Sequence, residues 1–248
     1  MCDTCGCHPP DSRATTKTVE VHESLLAANS RQAEDNRRHL ETLGAVAINM
    51  ISSPGAGKTT LLEQTIDILG QELRIGVIEG DIETERDAER IRARGVPAVQ
   101  LTTGGACHLD ARMVHEGLHR LQHESGGDSF DLIFIENVGN LVCPATFDLG
   151  EHERIVLVSV PEGSDKPAKY PRAFTSSQGF LITKTDLLPH FDFSTEEARR
   201  EALRLNPEIM VFELSARDQR SLVPWIDHLR QLAGRQHPPV LEKIPPGR

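Results

Sequence analysis

A glycine-rich segment at residues 52–60, SSPGAGKTT, constrains the fold of this chain more than any other feature. It follows the apolar run 45–51, AVAINMI, and leads into Leu61-Leu62-Glu63. A strand, a glycine-rich loop and a helix in this order form a phosphate cradle, because loop N–H groups and the helix N-terminus face the anion. The spacing matches G-x-x-x-x-G-K-T, with Ser52 in place of the first glycine. The expected nucleoside triphosphate-binding residues of this P-loop are Ser53, Pro54, Gly55, Ala56, Gly57, Lys58, Thr59 and Thr60.

The overall charge and the absence of long apolar runs exclude several classes of protein. The chain of 248 residues has a formal net charge of −10 and no basic block. Such a chain is a poor partner for nucleic acid or an anionic membrane. No apolar run reaches the length of a membrane span, and the N-terminus lacks the apolar core of a signal peptide, so we expect a cytoplasmic protein.

Composition along the chain predicts four segments. Residues 1–17 are polar and contain Pro9-Pro10 and three cysteines, which is typical of a flexible, Cys-rich arm. Residues 18–44 are charged, with leucines at helical spacing, and predict an N-terminal helix that Gly44 ends. Residues 45–235 then form a nucleotide-binding domain, and residues 236–248 form a loose, proline-rich tail.

Strand and helix patterns alternate through the nucleotide-binding domain. The predicted strands are 45–51, 74–79, 98–101, 131–136, 154–160, 179–183 and 209–213. Helices are predicted at 83–94, 109–122, 195–205 and 221–233, besides the helix after the P-loop. Nearly continuous apolar strands favour an α/β fold, a doubly wound, mostly parallel sheet of the P-loop NTPase type with helices on both faces.

Polar residues follow two of the predicted strands, where ligands bind in open α/β sheets. Asp81 follows the second strand, and residues 136–139, ENVG, resemble the D-x-x-G switch of GTPases with Glu136 in place of aspartate. Lys58 would reach the outer phosphates, and the Thr59 hydroxyl would bind Mg²⁺. Asp81 and Glu136 are candidates for a second Mg²⁺ contact or for positioning the attacking water. The Gly139 N–H would contact the γ-phosphate.

Two further strand-end segments favour guanine as the base. Residues 183–186, TKTD, resemble the N-K-x-D motif, in which Asp186 would accept hydrogen bonds from guanine N1–H and its exocyclic amine. The Lys184 stem would cover the base, and Ser215 and Ala216 resemble the S-A-K loop that supports it. Together these motifs favour GTP over ATP. No glutamine or arginine finger is evident, so we expect slow intrinsic hydrolysis to GDP and phosphate.

The first cysteine group lies at the extreme N-terminus. Cys2, Cys5 and Cys7, followed by His8, form C-x-x-C-x-C-H. In a reducing compartment a disulfide is not the default explanation. Three thiolates with a nearby imidazole or amine suit Ni²⁺ or Zn²⁺, and ligand softness does not separate these two ions.

The second cysteine group lies inside the nucleotide-binding domain. Cys107-His108 follows two glycines, and Cys143 comes four residues after Gly139. An isolated cysteine is usually a small buried hydrophobe. Here the short connection from Gly139 would couple a metal ligand to the γ-phosphate contact. His115, His119 and His123 repeat at i, i+4 and i+8, for which a solvated polar face is the favoured interpretation and metal binding remains open.

These segments together resemble the HypB family of hydrogenase nickel incorporation GTPases. The resemblance is carried by residues 52–60, 79–82 (EGDI), 107–111 (CHLDA), 136–144 (ENVGNLVCP) and the guanine motif. It implies a dimerising P-loop GTPase of the signal-recognition and MinD-like (SIMIBI) class. It also implies nickel delivery to the large subunit of [NiFe] hydrogenase, together with a partner metallochaperone of the HypA type.

The resemblance also assigns the cysteines. Cys107, His108 and Cys143 match a nucleotide-linked metal site near the dimer interface, and Cys2, Cys5 and Cys7 match the tight N-terminal nickel motif of some members. The long histidine-rich storage segment of other members is absent from this sequence. Two alternatives stay open: a related metallocentre-assembly GTPase of the urease or cobalamin-enzyme type, and a nickel-binding or storage protein with a dispensable nucleotide site.

Overall fold

One parallel sheet organises the chain. The structure, a computed structural model, describes residues 12–81 and 86–236, and the side chains within 24–81 and 86–234. The strands are β1 Val46–Ser52, β2 Ile75–Asp81, β3 Ala98–Thr102, β4 Leu132–Glu136, β5 Glu153–Ser159, β6 Gly179–Thr183 and β7 Met210–Glu213. They lie in the order β3-β2-β4-β1-β5-β6-β7, and each neighbouring pair is parallel.

Helices connect these strands. They are α1 Ser12–Leu43, α2 Lys58–Leu69, α3 Arg86–Arg92, α4 Ala111–Glu124, α5 Lys166–Lys169, α6 Pro171–Thr175, α7 Thr195–Leu205 and α8 Gln219–Gln236. Short 3₁₀ helices occur at Val160–Glu162 and Thr185–His190. Among the described residues, none of the helices is both long enough and apolar enough to cross a membrane.

Alternating residues of the central strands pack on opposite faces of the sheet. Val46, Ile48 and Met50 of β1 lie in a core with α2, α3 and α8. Ala47 of β1 packs with α1 and α4 on the other face, where a third core joins β5 and β6 to α6 and α7. The two-residue period of a strand produces this division. The predicted doubly wound α/β fold is therefore confirmed.

The element boundaries differ from the sequence predictions in a few places. Helix α1 begins at Ser12, within the segment predicted as an arm, because no proline or glycine interrupts residues 12–43. Helix α8 ends at Gln236, one residue beyond the predicted domain end at 235. The helices of four to six residues were not predicted, since such short elements carry no periodic apolar pattern. Cys2, Cys5, Cys7 and most of the tail lie outside the described residues, so the arm and the domain limits stay predictions.

Candidate nucleotide and metal site

The glycine-rich loop joins β1 to α2 at the carboxyl end of the sheet. Gly55 and Gly57 have φ angles of 76° and 98°. Residues with a side chain rarely adopt this left-handed conformation. Helix α2 begins at Lys58, directly after Gly57. Ala56 N donates to the carbonyl of Ser53 over 3.4 Å, which turns the chain between them. The predicted strand, loop and helix are thus present.

Lys58 and Thr59 lie under the loop and contact acceptors there. The Lys58 ammonium is 8% exposed and donates to Ser52 Oγ over 2.9 Å. Thr59 Oγ1 donates to Glu136 Oε1 over 2.8 Å, and that oxygen is 4.0 Å from Lys58 Nζ. The serine that replaces the first motif glycine therefore holds the lysine at the base of the loop.

A second carboxylate, Glu79, lies beside Glu136. The register of β2 with β4 pairs these two residues directly. Glu79 Oε1 and Glu136 Oε2 are buried and accept no hydrogen bond from the described residues. Burial, and then the charge of Glu136, raises the pKa of Glu79 well above its usual range. Burial also raises the pKa of Glu136, against the opposing effect of Lys58.

The sequence did not single out Glu79 as a site residue. A glutamate inside the otherwise apolar strand 75–79 was the available signal, because buried carboxylates are rare without a cationic partner. Two buried carboxylates face one buried ammonium here. The site therefore has acceptor atoms to spare for a cation.

A cavity of about 480 Å³ lies in front of these groups. Asp81, Glu136 and Gly139 line it together with residues of the glycine-rich loop. Asp87 and Arg90 of α3 also line it and were not predicted; Arg90 forms an ion pair with Glu63 over 2.7 Å. The residues of this cavity wall that the sequence analysis nominated as site residues are Pro54, Gly55, Gly57, Lys58, Thr59, Thr60, Asp81, Glu136, Gly139 and Lys184.

A second cavity, of about 290 Å³, continues from the first along the start of α2. The two share Gly57, Thr60 and Lys184 in their walls. The predicted residues in the second are Ala56, Gly57, Thr60, Lys184, Asp186, Ser215 and Ala216. A polar cavity that continues into a narrower, more apolar one has the form of a site for phosphates and a base.

Asp186 is fixed at the wall of the smaller cavity. Its Oδ1 accepts a hydrogen bond from Ser215 Oγ at 2.6 Å. Lys184 has the left-handed φ of 58°, and its Nζ donates to the Gly55 carbonyl over 2.7 Å, so its stem lies across the loop. Thr183 Oγ1 donates to the Ala56 carbonyl, also at 2.7 Å. Segment 183–186 is therefore hydrogen-bonded to the glycine-rich loop.

Cys107, His108 and Cys143 come together at the same edge of the sheet. One ligand atom of each lies within 4.8 Å of the others, and the two sulfurs of the free cysteines are 3.0 Å apart. The His108 ring stacks on the Phe147 ring with 4.0 Å between their centroids. Burial lowers the pKa of His108. The hydrogen bond between the two thiols raises the pKa of Cys143. Two sulfurs and an imidazole are a soft set of three donor atoms that could hold a metal ion.

Comparison with known proteins decides the family. Residues 46–213 match the family model "CobW/HypB/UreG, nucleotide-binding domain". The HypB of Azotobacter chroococcum is 48% identical over 219 residues, which span 88% of this chain and 70% of that protein. The chain belongs to the HypB family.

Two Helicobacter pylori comparisons agree with this family membership. The hydrogenase/urease maturation factor HypB of that organism is 41% identical over 206 residues, 83% of this chain and 84% of the relative. A crystal structure of H. pylori HypB in complex with nickel superimposes with a TM-score of 0.81 at 39% identity, over 84% of this chain and 96% of the other. The fold and the membership of the HypB family are thereby established together.

In this member of the HypB family, the segment after β4 connects the glycine-rich loop to the cysteine cluster. A Cβ atom on Gly139 would lie 2.9 Å from Pro54 Cα, so this position lies against the loop. Asn140 forms an antiparallel bridge with Ser52, and its Nδ2 donates to the Cys107 carbonyl over 3.3 Å.

A second asparagine of the same segment contacts the backbone that follows Cys107 and His108. The buried Asn137 accepts from the backbone N–H of Leu109 at 3.1 Å. Leu109 directly follows Cys107-His108 in the chain. Both asparagines lie in the family segment 136–144. Their contacts were not predicted, because a contact between segments distant in the chain leaves no local pattern.

Proposed function

We propose that this chain is a GTP-hydrolysing nickel metallochaperone that regulates nickel insertion into the large subunit of [NiFe] hydrogenase. The observation that carries the proposal is the segment 137–143, which contacts the glycine-rich loop at one end and contains Cys143 at the other. Family membership supports a role in hydrogenase maturation. Binding of nucleotide and binding of metal would then be linked through this segment.

The base cavity supports GTP as the nucleotide. Asp186 presents a carboxylate to a base, and guanine offers two adjacent donors where adenine offers none in that arrangement. Ser215 fixes this carboxylate, and the Lys184 stem supplies an apolar cover. The Gly139 N–H would contact the γ-phosphate and distinguish GTP from GDP.

The phosphate end fits Mg²⁺, because buried carboxylate oxygens lack donors there. Thr59 would hold the ion with its hydroxyl, and Asp81 or Glu136 would hold it with a carboxylate, all at the wall of the same cavity. When bound, Mg²⁺ would neutralise charge on the β- and γ-phosphate oxygens. Lys58 would bind the outer phosphates. With Arg90 engaged by Glu63, intrinsic turnover would be slow.

The cluster of Cys107, His108 and Cys143 fits nickel as cargo. Thiolate and imidazole donors suit Ni²⁺, and they suit Zn²⁺ equally. The nickel complex of the H. pylori relative supports nickel. Cys2, Cys5 and Cys7 would form a separate, N-terminal nickel site.

The cluster also fits a GTP-dependent homodimer. Cys107 is exposed, and Val142, which precedes Cys143, is 59% exposed, so both side chains are accessible to a second copy. Three ligands from one chain leave metal positions open for a second copy, for a HypA-type metallochaperone or for the hydrogenase large subunit.

Complementation of a strain that lacks its own HypB tests the proposal. The wild-type chain should restore nickel-dependent hydrogenase activity, whereas Lys58→Ala and Cys107→Ala should not. Lys169→Ala removes an exposed lysine and is the matched control for the charge change. Maturation that survives Lys58→Ala would show a dispensable nucleotide site and contradict the proposal.

Urease is a second candidate target, because the H. pylori relative is named a hydrogenase/urease maturation factor. The same strains should therefore be assayed for urease. Restoration of urease activity without hydrogenase activity would favour this alternative.

A further inference from the structure

A second group of metal-ligand side chains lies where α1 packs against α4. One ring nitrogen each of His39, His115 and His119 lies within 4.8 Å of the others. The Nε2 atoms of His115 and His119, one helical turn apart on α4, are 3.2 Å from each other. His39 reaches them from α1, with its ring centroid 4.5 Å from that of His119.

His115 is held in one tautomer by the fully buried Asn36. Asn36 Nδ2 donates to the carbonyls of Ala111 at 2.7 Å and Leu149 at 2.9 Å, so its Oδ1 is the acceptor facing the ring. His115 Nδ1 lies 3.0 Å from that oxygen and therefore carries the proton. The lone pair is left on Nε2, towards His119. Proteins orient metal-binding imidazoles in this way.

His39 also has an unused lone pair. Its Nε2 lies 3.3 Å from Gln122 Oε1, an acceptor, so Nε2 carries the proton. Its Nδ1 is buried and has no hydrogen-bond partner in the described part of the chain. A buried acceptor without a donor is unfavourable, and a cation would satisfy it.

We propose that His39, His115 and His119 form a second metal site, for a divalent first-row transition ion that binds imidazole, such as Zn²⁺ or Ni²⁺. Three neutral imidazoles leave a coordination position open, which is typical of exchangeable metal. The site would link α1 to α4, and α4 starts three residues after His108. It differs from the cysteine cluster in every ligand.

The sequence could not indicate this site. It placed His115, His119 and His123 on one helix face, yet eight residues turn a helix by about 80° beyond two full turns. His123 is exposed and is not part of the cluster. The third ligand comes instead from His39, on another element.

Zinc binding to a cysteine-free full-length chain tests the proposal. Serine replaces Cys2, Cys5, Cys7, Cys107 and Cys143, so that no thiolate competes. We expect this parent to bind one Zn²⁺ per chain in competition with a chromogenic chelator, and Zn²⁺ to raise its melting temperature. His119→Ala changes an exposed residue and should weaken binding at least tenfold and abolish the thermal shift.

His39→Ala should have the same effect, while His123→Ala, on the same helix, is the matched control and should bind as the parent does. Circular dichroism checks that each variant is folded. The proposal is overturned if the parent binds no zinc, if His119→Ala binds it as tightly as the parent, or if His123→Ala loses it equally. In those cases the cluster is a hydrogen-bonded histidine network only.

Discussion

Asn140 donates a side-chain hydrogen bond to the Cys107 carbonyl over 3.3 Å, while its backbone bridges to Ser52 at the base of the glycine-rich loop. One residue therefore contacts both the start of the glycine-rich loop and the backbone of Cys107. In the proposed function, a shift of the loop on nucleotide binding would move the carbonyl of the proposed metal ligand Cys107. Coupling between two sites requires such a differential contact, and its size is about 1–3 kcal/mol in typical cases.

Asn140→Asp should reduce this coupling. Aspartate keeps the acceptor that receives the Val142 N–H but loses the donor to Cys107. We expect nickel affinity without nucleotide to change little, and the effect of a GTP analogue on that affinity to fall several-fold. Asn206→Asp removes a similar amide-to-carbonyl bond at Ser177 and is the control. An unchanged nucleotide effect in Asn140→Asp would remove this residue from the coupling.

Gly139→Ala should weaken binding of the triphosphate. The added Cβ would lie 2.9 Å from Pro54 Cα, so the loop must shift. Overpacking of this kind costs about 1–3 kcal/mol, which corresponds to a loss of roughly 5- to 150-fold in affinity if the cost falls on the bound state. Fluorescent GTP-analogue titration measures it. Gly234→Ala, at an open position, should bind as wild type does, and equal affinity of both variants would contradict the close contact.

Asp186→Asn should change base preference. The amide cannot accept from both guanine donors, whereas it can donate to the carbonyl that xanthine has in place of the exocyclic amine. We expect GTP affinity to fall at least tenfold and XTP to bind better than GTP, since one hydrogen bond to a charged group contributes about 1.5–3 kcal/mol. Asp192→Asn, at an exposed position, is the control. Retained GTP preference in Asp186→Asn would exclude the assigned role.

The fold could be predicted from local patterns because the sheet is buried on both faces. Strands such as 179–183 are bounded by glycine and polar residues, and their predicted limits agree with the structure. The order of the strands, with β4 between β1 and β2, has no local signal. It depends on long-range packing.

The positions of Lys58 and Asp186 in the walls of the two cavities could be expected from motifs that follow strands. Contacts between two separate elements could not be expected in this way. Glu79 becomes important only because strand register places it beside Glu136, and His39 only because α1 crosses α4. Neither relation can be derived from the spacing of residues within one element.

Glu79→Gln should stabilise the nucleotide- and metal-free protein at neutral pH. Burial raises the pKa of Glu79, so the folded state binds this proton more tightly than the unfolded state. The stability that protonated Glu79 contributes is fully present below the ordinary glutamate pKa of about 4.3. It is lost as the pH rises through the raised pKa of Glu79 in the folded state. The free energy of unfolding of the variant should therefore exceed that of the wild type by an increasing amount as the pH rises from 5 to 8.

Thermal melting across that pH range measures the gain. One unit of pKa difference corresponds to about 1.4 kcal/mol, or ~3–6 °C in melting temperature for a domain of this size. Glu208→Gln, at an exposed position, should follow the wild type. A Glu79→Gln difference that does not vary with pH would contradict the raised pKa of Glu79.

The most direct test of the central claim is nickel affinity in the two nucleotide states. A chain carrying Cys2→Ser, Cys5→Ser and Cys7→Ser isolates the Cys107, His108 and Cys143 site. With Mg²⁺ present, we predict that nickel affinity differs at least fivefold between GDP and a non-hydrolysable GTP analogue, and that Lys58→Ala abolishes the difference. Equal affinities with an unchanged oligomeric state in both nucleotides would contradict a nucleotide-controlled metal site.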